Sequence, residues 1–151
     1  MEINIRRALT SDRDSIARFQ VAMAWETENY KLDYDTVSKG VETALNNEKL
    51  GVYYVAVVDN EVVSSLLTTY EWSDWRNGTV LWIQSVYVDS SHRQRGIYAA
   101  LYSYIKRLVA TNDSLKGIRL YVDESNTKAM GVYSHLGMNG EHYRVFEWMK
   151  E

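Results

Sequence analysis

A polar turn that leads into a helix brings together two arginines and a glycine, residue types suited to binding anions. Arg93, Arg95 and Gly96 lie directly before a segment whose apolar side chains recur at the helical period, from Ile97 to Leu108. Amides at a helix start have no intrahelical partner, and the helix dipole gives them partial positive charge. Glycine lets the backbone approach a bound group closely, and the forked donors of arginine suit phosphate oxygens. These residues therefore predict an anion site, best suited to a diphosphate.

The turn has a simpler interpretation as well. A single glycine before a helix, with two solvated arginines, would ordinarily be a surface turn. The two common nucleotide-binding patterns, G-x-x-x-x-G-K-S/T and G-x-G-x-x-G, do not occur in the chain. P-loop and Rossmann sites therefore have no support.

Two segments carry a family resemblance that covers essentially the whole chain. The run Arg93-Gln94-Arg95-Gly96-Ile97-Tyr98 resembles the Q/R-x-x-G-x-G/A pyrophosphate loop of the GNAT family of N-acetyltransferases. Further on, residues 126–138 resemble the family segment N-x-x-A-x-x-x-Y-x-x-x-G-F/M, with Asn126 and Tyr133 at its named positions. Tyr98 departs from the loop pattern, and its phenol would crowd the phosphates unless the ring turns away.

The resemblance implies that acetyl-CoA is a co-substrate and that a defined set of residues binds it. The loop would hold the diphosphate, and the exposed backbone groups of Val86 and Val88 would pair with the pantetheine amides. One backbone N–H there would bind the thioester carbonyl oxygen. The cofactor-binding residues implied in this way are Val86, Tyr87, Val88, Arg93, Gln94, Arg95, Gly96, Ile97, Tyr98 and Asn126.

The resemblance also implies a catalytic role for Tyr133, as the acid that protonates the departing thiolate. The helical period alone favours a core tyrosine, because Ala129, Val132 and Leu136 share its face. Asn126 is expected both to cap this helix and to contact the cofactor. Since the chain has no cysteine, a route through a cysteine thioester is closed, and direct attack by the amine in a ternary complex is expected.

No catalytic base is assigned from the sequence. The resemblance implies a cleft for the pantetheine arm between two splayed parallel strands. Glu26, Glu28 and Glu71 could border this cleft, although each is also interpretable as a solvated surface charge, and a chain of waters would serve equally well. The acidic stretch from Glu26 to Asp35 would suit a cationic amine, or is simply a solvated surface. The acceptor pocket, or alternatively a packed hairpin end, is expected from Trp72, Asp74, Trp75, Arg76 and Gln84.

The pattern of elements that must position these residues predicts a mixed α/β fold. The chain is predicted to begin with a strand at residues 3–8, a helix capped by Thr10 or Ser11 and a second helix from near Asp35. Three strands follow, at 51–58, 61–70 and 79–88. Asp59-Asn60 and Asn77-Gly78 indicate hairpin turns. The pattern ends with a helix at 95–111, a parallel strand at 117–122, a helix from Asn126 to Gly137 and a last strand at 142–149. The GNAT resemblance implies a central, mostly antiparallel sheet with one splayed parallel pair and flanking helices.

Composition limits the class of protein. The 151 residues fit one N-acetyltransferase domain, 1–151, and a net charge of −3 argues against a nucleic-acid partner. No apolar run approaches the ~20 residues that span a bilayer, and the first residues lack a signal-peptide core, so a cytoplasmic location is expected. Without cysteine and with 3 scattered histidines, no metal site is expected.

The leading hypothesis is an N-acetyltransferase that moves the acetyl group of acetyl-CoA directly to an amine of a small molecule or peptide. The alternative is a non-catalytic acyl-CoA-binding or sensor domain, and a plain structural domain is a third possibility. A C-terminal strand at a sheet edge could pair with a copy of itself, so a homodimer is possible.

Overall fold

The computed structural model describes residues 1–150, which form a five-stranded sheet and four α-helices. In chain order the elements are β1 (Asn4–Arg7), α1 (Arg13–Glu28), α2 (Tyr34–Leu45), β2 (Val52–Val58), β3 (Glu61–Ser73), β4 (Gly78–Val88), α3 (Ile97–Thr111), β5 (Leu115–Arg119) and α4 (Thr127–His135). The chain divides into two compact units, one spanning Met1–Arg119 and one that begins at Leu120. All five strands belong to the first unit.

The sheet has the strand order β1-β2-β3-β4-β5, in which only β4 and β5 are parallel. This arrangement confirms the predicted mixed, mostly antiparallel α/β fold with one parallel pair. The β4–β5 pairing joins Thr79–Trp82 to Leu115–Arg119. Residues 83–88 of β4 have no partner in β5, because β5 ends at Arg119, which pairs with Trp82. β5 is therefore shorter than the predicted strand at 117–122 at its C-terminal end, and the splay of the two strands stays a prediction.

Helices cover the central strands on both faces. On one face, Ile16 and Ala17 of α1 and Val41 of α2 pack with Tyr53 and Val55 of β2. Because successive side chains of a strand point to opposite faces, Tyr54 lies on the other face, where its ring is 5.5 Å from that of Tyr104 in α3. Ile97, Leu101 and Ile105 of α3 are buried as well. Burying each such aliphatic side chain stabilises the fold by roughly 1.5–3 kcal/mol.

Local turn chemistry fixes the hairpins as predicted. Asp59 and Asn60 both adopt left-handed backbone, with φ of 50° and 64°, and join β2 to β3 by a two-residue turn. Asp and Asn tolerate this conformation better than other residues with side chains. Asn77, with φ of 49°, leads into Gly78 at the start of β4. Both hairpins hold β3 between its antiparallel neighbours.

The predicted cap of α1 is wrong. Thr10 and Ser11 lie in a single 3₁₀ turn, and α1 begins at Arg13. Asp12 precedes the helix without capping it, because its carboxylate accepts from the Leu9 N–H at 2.7 Å and from Arg6 Nη1 at 2.8 Å. The carboxylate of Asp12 therefore bonds to Arg6 and Leu9 and makes no capping bond to the helix amides.

The second helix begins one residue earlier than predicted. Its cap is Asp33, whose side chain accepts from the Thr36 amide at 3.2 Å and from Thr36 Oγ1 at 2.6 Å. The first of these bonds satisfies an amide of the first turn that has no partner within the helix.

The C-terminal unit contains α4 with the predicted cap. The Asn126 side chain accepts from the Ala129 amide at 3.1 Å. Gly137, with φ of 90°, follows the end of the helix, a conformation that suits glycine because it has no Cβ.

The predicted last strand is wrong, because residues 142–149 form no strand. The alternation there is loose, and Tyr143, Phe146 and Trp148 are 81%, 92% and 88% exposed. A strand register is fixed by burial of one face, and this segment buries neither. The possible homodimer was argued from this strand, and it stays a prediction that the fold does not support in this way. Among residues 1–150, no helix is long and apolar enough to cross a membrane.

Candidate functional site

A β-bulge interrupts β4 in the part of the strand that β5 does not cover. Ser65 of β3 pairs with Tyr87, whereas Leu67 pairs with Gln84, so β4 has one residue more than β3 between these pairs. The left-handed backbone of Ser85, with φ of 57°, lies within this interval. A bulge breaks the ladder locally and bends the strand. The interruption therefore includes Val86 and lies directly before Tyr87 and Val88, and all three are strand residues predicted to bind cofactor.

After β4, the chain turns sharply into α3. A 3₁₀ turn at Ser90–His92 is followed by Arg93 in extended backbone and by Gln94 in left-handed backbone, with φ of 62°. Gly96 precedes the helix with φ of 78°, and a Cβ built on it would meet no atom within 4 Å. The space beside the glycine is therefore open, next to the amides that begin α3 and have no partner within the helix.

The side chain of Tyr98 turns along α3. Its ring stacks on that of Tyr102, with 6.5 Å between ring centroids and an interplanar angle of 16°. Positions four apart on a helix lie one above the other, so this stacking places the ring along the helix. The Tyr98 ring is thereby accounted for by packing, and Arg95 is exposed at the turn. Open space, the amides at a helix start and a cationic side chain fit a diphosphate.

Arg93 lies in a network with Glu26 at the end of α1. Its Nη2 donates to Glu26 Oε1 at 2.7 Å, and its Nε donates to the Val88 carbonyl at 2.9 Å. The guanidinium also lies 5.2 Å from the centroid of the Tyr87 ring. The phenol of Tyr87 donates to the other Glu26 oxygen. Arg93 thus connects α1, the end of β4 and the loop.

The protonation states in this network follow from its contacts. Burial, together with the hydrogen bond to Glu26, raises the pKa of Tyr87 to about 12. The hydrogen bond from Tyr87 and the ion pair with Arg93 hold the pKa of Glu26 below its usual value, against a smaller opposing effect of burial. Near neutral pH, Tyr87 is therefore a hydrogen-bond donor and Glu26 is an anion. Neither group is poised to exchange a proton with substrate.

Glu71, the carboxylate that the sequence favoured as a bordering base, is engaged in a second network. Its Oε2 accepts from Arg119 of β5, and its Oε1 accepts from Trp82 Nε1 at 2.9 Å. Beside this group, Gln84 Nε2 donates to Thr69 Oγ1 at 2.7 Å. These side chains form a polar surface across β3, β4 and β5. Both oxygens of Glu71 have partners, which disfavours a role as a free base.

The remaining predicted residues do not gather in one place. Trp72 and Trp75 at the β3–β4 turn are 65% and 91% exposed, so a packed hairpin end is not what the turn forms. Arg76 bonds to Ser73 within the turn, with Nη1 donating to Oγ at 3.2 Å. Asn126 and the half-buried Tyr133 belong to the C-terminal unit. Their roles toward a cofactor stay predictions.

Two features of the site could not be found by sequence reasoning. Glu26 and Arg93 are 67 residues apart, and no local pattern links them. The bulge at Ser85 has no composition signal either, because serine is not a residue that favours left-handed backbone. Within residues 1–150, no group of three or more His, Asp or Glu side chains could hold a metal ion.

Comparison with known proteins gives a consistent family. A model of the acetyltransferase (GNAT) family matches residues 11–138. A possible acetyltransferase from Clostridium difficile 630 is 43% identical, with a TM-score of 0.93 over 100% of this chain and 99% of that one. No curated protein matches the sequence.

More distant structures share the fold. A ribosomal-protein-alanine N-acetyltransferase from Brucella melitensis biovar Abortus 2308 is 14% identical, with a TM-score of 0.80 over 99% of this chain and 100% of that one. An aminoglycoside acetyltransferase from an uncultured soil metagenomic sample is 20% identical, with a TM-score of 0.75 over 99% and 100% of the two chains. The family match, the 43% identity and the bulged strand that leads into a glycine-started helix agree. The chain belongs to the GNAT acetyltransferase family.

Proposed function

We propose that the protein is an acetyl-CoA-dependent N-acetyltransferase that transfers the acetyl group directly to an amine in a ternary complex. The observation that carries this proposal is the continuous path from the bulge in β4, through the left-handed loop, to the open start of α3. An acyl-CoA needs one strand edge for its amides and one anion site for its diphosphate. The second half of β4 and the start of α3, which lie in the same unit, support these two roles.

The loop residues would hold the diphosphate. The amides from Gln94 to Tyr98 and the guanidinium of Arg95 supply donors and positive charge at the start of α3. The backbone groups of Val86 and Val88, beside the bulge and away from β5, supply partners for the pantetheine arm. When bound, acetyl-CoA supplies the thioester whose carbonyl carbon the amine attacks.

A backbone N–H beside the bulge would stabilise the oxyanion. The bulge removes a stretch of β4 from regular pairing with β3, so an amide there can face the cleft. A donor oriented in advance toward a developing oxyanion contributes ~3 kcal/mol in comparable acyl transfers. This donor belongs to the backbone, so it does not depend on any side chain of β4.

Deprotonation of the amine would proceed through water. Glu26 and Glu71 are both engaged by cationic side chains, through Arg93 and Arg119, and neither is a free base. Tyr133 as the proton donor to the thiolate is supported by the family segment that contains it. The alternative is a non-catalytic acyl-CoA sensor. A sensor would bind the diphosphate with the same loop but would not need to admit an amine to the thioester.

A panel of primary amines with acetyl-CoA tests the proposal, with released thiol as the readout. We expect thiol release that depends on the amine, whereas a sensor would bind coenzyme A and release none. Gly96→Ala places a methyl group in the open space at the loop and strains a backbone of φ 78°. It should weaken coenzyme A binding at least tenfold, or about 1.4 kcal/mol or more.

Gly40→Ala is the matched control, since a Cβ there also meets no atom within 4 Å but the residue lies in α2. It should leave binding unchanged. Equal affinity of wild type and Gly96→Ala for coenzyme A would contradict the assignment of the diphosphate to this loop.

A further inference from the structure

The first residue of the diphosphate loop is turned away from the start of α3. Arg93 Nη2 donates a hydrogen bond to Glu26 Oε1 at 2.7 Å, and Arg93 Nε donates one to the Val88 carbonyl at 2.9 Å. Its planar group faces the Tyr87 ring. The guanidinium is therefore directed back toward α1 and β4, while its backbone continues into Gln94 and the loop.

Glu26 has a fixed orientation in this arrangement. One oxygen accepts from Arg93 and the other from the phenol of Tyr87, a residue that is 8% exposed. The carboxylate lies in the last turn of α1, where the helix dipole disfavours negative charge. An acid at this position therefore does not stabilise the helix. The contacts of Glu26 with Tyr87 of β4 and Arg93 of the loop explain its presence instead.

We infer that Glu26 is a positioning residue for the diphosphate loop, which acts by holding Arg93 against the end of β4. The inference rests on the proposed function of the loop. Arg93 joins Val88, where the strand ends, to Gln94, where the left-handed turn begins. Holding its side chain fixes the path of the backbone between these points. The diphosphate would then be met by the loop amides and Arg95, with Arg93 supporting the loop from behind.

A direct role for Arg93 predicts the opposite effect of removing Glu26. If the guanidinium contacts phosphate, Glu26 competes for it, and loss of a nearby carboxylate also reduces repulsion of an anion. Removal of Glu26 should then strengthen coenzyme A binding. If Glu26 positions the loop, its removal should weaken binding, although a negative charge has been taken away from an anion site. The sign of the change separates the two roles.

The experiment measures Kd for coenzyme A by calorimetry in wild type, Glu26→Ala, Arg93→Ala and the double variant. We expect each single variant to bind about tenfold more weakly, the size of one lost charge-assisted hydrogen bond. The double variant should be no weaker than Arg93→Ala alone, because both changes break the same contact. Pantetheine, which lacks the diphosphate, should lose less affinity than coenzyme A in each of the three variants.

Two further variants exclude simpler causes. Glu28→Ala removes the same charge from the same turn of α1, and its exposed side chain has no ion pair among the described residues. It should leave Kd unchanged or slightly lower. Glu26→Gln keeps one oxygen that can accept from Arg93, so it should restore part of the lost affinity. Circular dichroism of each variant checks the fold.

Three results would overturn the inference: tighter binding by Glu26→Ala, equal effects of Glu26→Ala and Glu28→Ala, or additive losses in the double variant. A wild-type protein that binds no coenzyme A would reject the proposed function itself. That outcome is read from wild type alone, before any variant is compared.

Discussion

Ser65 shows what a single buried hydroxyl contributes in the strand that faces the bulge. Its side chain is fully buried, and its Oγ has no hydrogen-bond partner among residues 1–150. Its neighbour Ser64 is equally buried, but its Oγ donates to the Tyr87 carbonyl at 2.7 Å. The two serines thus differ in hydrogen bonding while they share strand, burial and size.

Removing the two hydroxyls should therefore have different effects on stability. Ser65→Ala removes an unsatisfied polar group, so the free energy of unfolding should stay equal or rise by up to about 1–2 kcal/mol. Ser64→Ala leaves a buried carbonyl with one bond fewer and should lower it by about 1 kcal/mol. Urea denaturation of both variants measures the difference. A larger loss for Ser65→Ala than for Ser64→Ala would mean that the Ser65 hydroxyl is bonded in solution.

At the scale of the element, the start of α1 depends on an ion pair. Burial alone would raise the pKa of Asp12, but hydrogen bonds from Arg6 and from the Leu9 amide more than offset this and lower the pKa below its usual value. A carboxyl with a lowered pKa in the folded state stabilises the protein above its unfolded pKa. The stabilisation is lost as pH falls through the folded value.

Asp12→Asn should consequently lower the free energy of unfolding by about 1–2 kcal/mol near pH 7, since the Arg6 side chain is partly exposed and its pair is partly screened. The difference from wild type should shrink as pH falls below about 4, because the carboxyl is then protonated in the unfolded chain while the folded protein still holds it ionised. Denaturant titrations from pH 7 to pH 3 follow it. Glu61 is an exposed strand residue without an ion pair among the described residues, so the difference between Glu61→Gln and wild type should not change with pH in this way. A pH-independent difference for Asp12→Asn would assign the effect to shape instead of charge.

Which elements the sequence could predict depends on how local their determinants are. The Asp59-Asn60 turn, the Asn126 cap and the 3.6-residue period of α3 are each set by residues close together in the chain, and the structure contains all three. The cap predicted at Thr10 or Ser11 was wrong because these residues form a 3₁₀ turn before α1, and Asp12, which precedes the helix, makes a tertiary contact with Arg6 of β1. The last strand failed because alternation predicts a strand only where a partner buries one face.

The candidate site divides in the same way. The glycine and arginines of the loop could be read from residues 93–98, because the loop chemistry is contiguous. The bulge at Ser85 depends on pairing with β3, and the Glu26–Arg93 pair joins residues 67 positions apart. Both depend on contacts between elements that are distant in the chain, so no window of the sequence contains them. The position of Tyr133 was supported only by the family segment.

At the scale of the whole molecule, the chain divides into two compact units, whereas the sequence predicts a single domain. The family match runs from residue 11 to residue 138 and so crosses the boundary at Leu120. A family module that includes both units predicts one cooperative unfolding transition, as is usual for domains of this length. Calorimetry should show a single peak, with equal calorimetric and van't Hoff enthalpies. Two resolved transitions would contradict a single domain.

Binding of acetyl-CoA should shift that transition as a whole. A ligand at a hundred times its Kd adds about 2.7 kcal/mol to stability if it binds only the folded state. In a domain of this size each kcal/mol corresponds to about 2–4 °C, so the midpoint should rise by about 5–10 °C. Gly96→Ala should lose most of the shift at the same ligand concentration, while Gly40→Ala keeps it. A transition that splits on adding ligand would mean that only one unit senses the cofactor; no shift in wild type would count against cofactor binding altogether.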